Sequence, residues 1–200
     1  MKTKLKLLTV AALALFFTSC TTTTTTTTCT DSCPKVVNGI CSGEDEIGLN
    51  PTGAAAVLAK ANVMTSLFSG TLIQYPVTDP SQGYVYLKVD DGFIHDLFPL
   101  GQFPAGFIPD PNPIGAHISV FSGSEMLKID PKNTQLPEDG QTFQFTPCCL
   151  ASWKGKASDW IVLQVQSPDL MCLLTKYGIP TQGVTLHISI AQKVLSQPSK

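Results

Sequence analysis

Two stretches of this chain share one word: Gly115-Ala116-His117-Ile118-Ser119-Val120-Phe121 and Leu186-His187-Ile188-Ser189-Ile190-Ala191-Gln192. The chain has three histidines, and two of them open a His-Ile-Ser-aliphatic run. In an extended strand, residues i and i+2 share a face. His117 and Ser119 therefore point one way and Ile118 and Val120 the other. The same alternation sets His187 and Ser189 against Leu186, Ile188 and Ile190. Each strand is expected to bury its aliphatic face against a helix and to offer an imidazole and a hydroxyl on the opposite face.

The segments around each word repeat as well. Gly83 to Val89 alternates and is rich in β-branched and aromatic residues, so it reads as a strand. Asp90-Asp91 then marks a short helix start, a proline-dense loop covers 99–114, and the first His word comes next. In the second half Trp160 to Gln166 is the strand, Ser167-Pro168-Asp169 a helix entry with proline in the first turn, and Gly178 the stop. The second His word closes the set. Strand, helix, loop and His-strand thus occur twice, over 83–121 and 160–192, and two copies are too few for a solenoid. Further elements are expected as a helix over 53–68 and strands at 71–75 and 141–145. The loop over 99–114 reads either as a long connection or as a lid over the site.

Two strands related by a pseudo-twofold axis would bring two imidazoles and two hydroxyls around one cleft. That set suits a phosphodiester. A neutral imidazole takes a proton from attacking water, a protonated one gives a proton to the leaving oxygen, and the hydroxyls donate to the non-bridging oxygens. No metal or other cofactor is called for.

The paired H-x-[S/T]-hydrophobic words, each on a strand after a strand–helix unit, resemble those of the 2H phosphoesterase superfamily. The resemblance covers about residues 70–193. It implies an α+β, bilobal, duplicated strand-helix-strand fold, with the two words facing each other across a central groove. It also implies His117 and His187 as the catalytic pair, Ser119 and Ser189 as phosphate ligands, and a 2′,3′-cyclic nucleotide or similar small phosphodiester as substrate. Many members place a basic residue soon after the second word. Lys193 stands six residues beyond His187, on the same face if the strand lasts that long. Phe121 has the parity to reach the groove and stack on a base; a core position is its other reading.

The N-terminus reads as an export signal: a basic Met1–Lys6, an apolar run to Phe17, then Thr18-Ser19-Cys20. The cysteine after small residues is similar to the lipobox of bacterial lipoproteins, although Phe17 stands where that pattern wants leucine. This gives residues 1–19 as signal peptide, Cys20 as the lipidation site, and 20–50 as a Thr-rich, cysteine-containing tether. Residues 51–195 are the domain and 196–200 a tail. The expected location is the cell envelope, lipid-anchored, with plain secretion as the alternative. Removing residues 1–19 takes away Lys2, Lys4 and Lys6 and no acid, which leaves ten basic and fifteen acidic residues. All the basic residues are lysine. A chain of that charge, without the bidentate guanidinium, disfavours long nucleic acid as a partner. A monomer acting on a small substrate is expected.

Apart from Cys20, six cysteines remain, at 29, 33, 41, 148, 149 and 172. An even count in an exported chain points to disulfides whose pairing stays open. Metal ligation at Cys29, Cys33 and Cys41 lacks CxxC spacing and a nearby histidine. A nucleophile at Cys148 or Cys149 lacks a histidine close in sequence. His95, beside Asp96, reads as a surface histidine. From a different functional class, the same scaffold is compatible with a non-catalytic surface lipoprotein that binds a ligand or partner.

Overall fold

The computed structural model describes residues 32–65, 69–75, 84–129 and 135–195. Expectations for the export signal, Cys20 and the 196–200 tail lie outside these residues. Among the described residues ten strands form one sheet. In chain order they are β1 Val36–Val37, β2 Ile40–Asp45, β3 Gly70–Tyr75, β4 Tyr84–Lys88, β5 Ile108–Pro109, β6 His117–Phe121, β7 Thr142–Phe143, β8 Thr146–Lys154, β9 Ser158–Gln166 and β10 His187–Val194. Across the sheet they run β1-β2-β8-β9-β10-β6-β4-β3-β7, with β5 also paired to β10. Every pairing is antiparallel except that of β2 with β8.

Four helices complete this α+β architecture: α1 Pro51–Thr65, α2 Gly92–His95, α3 Gly123–Ile129 and α4 Pro168–Lys176. The Asn50 side chain caps α1 by accepting from the amides of Thr52 and Gly53. Ser167 caps α4 by accepting from Leu170, with Pro168 in the first turn. Val57, Ala61, Phe93, Ile94, Met126, Leu170 and Leu174 from the helices join Leu72, Leu87, Ile118, Leu163 and Ile188 from the sheet in one core. The helices therefore cover one face. Helix α2 packs against β10 and α4 against β6, so each helix lies on the His-strand of the other half.

Two three-strand arms share their register next to the His words. In β3–β4–β6, Lys88, Leu87 and Tyr86 stand opposite His117, Ile118 and Ser119. In β8–β9–β10, Gln164, Leu163 and Val162 stand opposite His187, Ile188 and Ser189. Both ladders then slip by one residue. Val85 faces Phe121, passing over Val120, and Ile161 faces Ala191, passing over Ile190. A bulge of this kind inserts one residue and reverses the facing of the strand beyond it. Leu72 pairs with Leu87 as Leu150 pairs with Leu163. The amide of Val89 donates to the Ala116 carbonyl at 3.2 Å, as that of Val165 donates to Leu186 at 2.9 Å.

Several boundaries differ from the sequence reading. Strand β8 was not anticipated. Its residues from Pro147 to Ser152 are all buried, so the polar–apolar alternation that marks a half-exposed strand is missing. The strand expected over 141–145 shortens to β7. Residues 36–45, read as tether, pair onto β8 through β2 and belong to the domain, which therefore starts before Pro51. The disulfides give the reason: Cys41 joins Cys149 and Cys33 joins Cys148. The β8–β9 ladder slips between Pro147 and Cys149, which makes Cys148 the extra residue of a bulge. Two adjacent cysteines, which would point apart in a regular strand, can thereby both reach the same strap. Cys172 is disulfide-bonded as well. Among the described residues no helix is long and apolar enough to cross a membrane.

Candidate functional site

The two His words meet as neighbouring strands of the one sheet. Ile118 of β6 is paired with Ile188 of β10 in antiparallel register. Continuing that register by one residue sets His117 opposite Ser189 and His187 opposite Ser119. Ile118 and Ile188 are fully buried against the helices, so these four groups share the opposite face. The imidazoles occupy one diagonal of a four-residue square and the hydroxyls the other. Diagonal neighbours in such a pair have Cβ atoms about 7 Å apart. The charge of His117 is felt at His187, as that proximity requires.

Both rings are held in the same way. His117 Nδ1 lies 2.7 Å from the Gly115 carbonyl oxygen, and His187 Nδ1 lies 2.9 Å from that of Thr185, in each case two residues back along the chain. A carbonyl only accepts, so each Nδ1 carries the proton and donates. That leaves each Nε2 as the atom able to exchange protons. Burial lowers the pKa of His187 below the ordinary histidine value; the bond to Thr185 opposes this and the charge of His117 adds to it.

The surroundings of the two rings differ. Beside His117 stand Tyr86 and Tyr84, edge-on to it at ring-centroid distances of 5.7 and 6.0 Å. The Tyr84 hydroxyl is hydrogen-bonded to Ser119 Oγ. Burial raises the Tyr84 phenol above its usual pKa, with the Ser119 bond opposing, so it stays protonated at neutral pH. Lys88, directly across from His117, is turned to Asp91 at 2.5 Å and to the Ile114 carbonyl at 2.9 Å. Asp110 is buried, at 8% exposure, and interacts electrostatically with His117; burial raises its pKa. Beside His187 stands Trp153, edge-on at 4.9 Å. His187, Ser189, Val162, Trp153 and Trp160 line a cavity of about 240 Å³. A second depression, of about 200 Å³, borders Gln164 and Thr185.

Phe121 and Lys193 do not join this face, and the two bulges explain both departures. Beyond Val120 the parity of β6 reverses. Phe121 is fully buried in the core, edge-on to Tyr177 at 5.6 Å. Beyond Ile190 the parity of β10 reverses as well. Gln192, opposite Trp160, takes the site side, whereas Lys193 stands opposite Asp159 and runs beside Gly106. The proline-dense loop is pinned rather than free. Strand β5 pairs with Ala191 and Gln192, and the Asp110 amide donates to the Ile190 carbonyl at 2.9 Å. His95 lies exposed on α2, away from the square.

The sequence reading missed Tyr84, Tyr86, Trp153 and Trp160. The alternation of Tyr84, Tyr86 and Lys88 along one strand was the available signal, and only the register with β6 gives it a direction. No protein-family model, curated protein or solved structure matches this chain.

Proposed function

We propose that this chain is a phosphodiesterase that needs no metal, acting on a 2′,3′-cyclic nucleotide or similar small phosphodiester through a pair of histidines. In this reading the fold is a duplicated strand-helix-strand unit of the 2H phosphoesterase type. The protein works outside the cytoplasm as a monomer, anchored by a lipid on Cys20. The observation that carries the reading is the Ile118–Ile188 pairing, which sets two imidazoles and two hydroxyls on the corners of one square. The matching bulges at Val120 and Ile190 support the duplication. The disulfides Cys33–Cys148 and Cys41–Cys149 support an oxidising compartment.

A phosphoryl group on the square has an Nε2 on either side. His187, which burial keeps neutral, takes the proton of a water as its oxygen attacks phosphorus. The bond from phosphorus to one ribose oxygen breaks. His117, with the Asp110 carboxyl in its field, gives that oxygen a proton from Nε2. The product is a phosphomonoester. Ser189 and the Ser119–Tyr84 pair donate to the non-bridging oxygens as charge builds there.

The test is hydrolysis of a panel of 2′,3′-cyclic nucleotides, followed by phosphorus NMR, with and without chelator. Turnover that survives the chelator and is abolished by either His117→Ala or His187→Ala is expected. A wild-type protein that binds these compounds yet leaves them intact would support a ligand-binding lipoprotein instead.

A further inference from the structure

The two halves carry different side chains at corresponding positions beside the two histidines. Tyr86 faces Ser119 in the first arm, and its ring fills the ground beside His117. The second arm puts Val162 opposite Ser189. A valine ends several ångströms short of where a tyrosine ring would reach. Val162 is buried in a small cluster with Ala151 and Cys149, and Trp153 and Trp160 pack against it. These two tryptophans, directly paired across β8 and β9, wall the cavity beside His187. In the first arm the position corresponding to Trp160 is Tyr84, whose hydroxyl is tied to Ser119. The cavity borders His187 and Ser189 of the second arm.

We infer that the cavity between Trp153 and Trp160 is a subsite for a planar aromatic ring carried by the phosphodiester, a nucleobase in the first instance. This rests on the reading above and adds the orientation: the ring lies toward His187 and the second arm, not toward His117. Two indole rings and no charged side chain among the lining residues suit a flat, weakly polar group. A volume of about 240 Å³ is below that of a site for a whole drug-sized ligand, so it takes one ring while the phosphate rests on the square. With few hydrogen-bonding groups at its walls, the subsite accepts different bases with similar affinity.

The protein carries its own reporter, because Trp153 and Trp160 are the chain's two tryptophans. Titration with adenosine 2′-monophosphate is expected to quench tryptophan emission, whereas ribose 5-phosphate and inorganic phosphate leave it nearly unchanged. Trp153→Ala is expected to weaken nucleotide binding, measured by calorimetry, about five- to a hundredfold. It should leave the affinity for ribose 5-phosphate unaltered. Val162→Tyr, which copies the first arm, is expected to do the same; Trp153→Ala, at a partly exposed position, serves if that variant fails to fold. Equal nucleotide affinity in wild type and Trp153→Ala, or emission indifferent to the nucleotide, would overturn the subsite. Histidine-dependent hydrolysis that treats alkyl and nucleoside esters alike would also remove the subsite while leaving the catalytic reading standing. Base-dependent quenching without any hydrolysis would keep the subsite and remove the catalysis.

Discussion

Replacing His117 with Asn, His187 with Asn, and both together asks whether the two rings serve one proton-transfer step. Each ring presents a single reactive atom, Nε2, because each Nδ1 is committed to a carbonyl. Loss of one general acid or base costs about 10²- to 10⁴-fold in rate, or about 3–5 kcal/mol of barrier. The rings stand on one diagonal of the Ile118–Ile188 pairing and would flank the same phosphoryl group. Once one is gone, the other has little left to assist. The double variant is therefore expected to be only slightly slower than the slower single variant, with a coupling about as large as one single loss. The assay is kcat/KM for hydrolysis of a 2′,3′-cyclic nucleotide between pH 5 and 9. Burial lowers the pKa of His187, so the acid limb of the profile should lie below the ordinary histidine value of about 6.5. That limb should vanish in His187→Asn. Additive losses in the double variant, or an acid limb that persists without His187, would show that the rings do not form a base–acid pair.

The disulfides give a separate expectation. With Cys33–Cys148 intact, Cys41–Cys149 closes a ring of only about ten residues, so Cys41→Ala with Cys149→Ala should cost about 3 kcal/mol by chemical denaturation, not the near 5 of a loop of roughly a hundred residues. Gly115 has a φ of +74°, and a Cβ there would sit 2.2 Å from Asp91 Oδ1. Gly115→Ala should therefore destabilise the fold by about 1–3 kcal/mol and cut activity, since the carbonyl that orients His117 moves with it; an unchanged melting temperature would contradict this. Stability should also fall with pH in two stages. His187 has a folded pKa below its unfolded one, so the unfolded chain takes up the proton first and melting should fall as pH drops below about 6.5, except in His187→Gln. The bond from Lys88 holds Asp91 low. At Asp45 and Glu138 burial pushes upward but is outweighed by hydrogen bonds, from Ser152 and backbone amides at Asp45 and from Lys176 and Tyr177 at Glu138. Their contribution is present above about pH 4.5 and lost as pH falls through their lowered folded values, which a thermal melt series from pH 7 to 3 resolves.

Local features were legible in the amino-acid order alone. Alternation put His117 with Ser119 and His187 with Ser189. A Ser-Pro-Asp entry and a glycine stop marked α4, and the even cysteine count marked disulfides. The α+β class follows from those elements. Whatever depends on pairing was settled only in three dimensions. Parity along a strand survives only until a bulge, and whether a ladder slips is a property of two strands, not one. That is why Phe121 turned into the core and Lys193 turned away from the site although both had the parity to reach it. Strand β8 escaped notice because burial on both faces erases alternation. Trp153 and Trp160 became neighbours of His187 only through the β8–β9–β10 register. Side-chain periodicity is written in the backbone of a single segment, whereas register is fixed by the contacts of segments far apart in the chain.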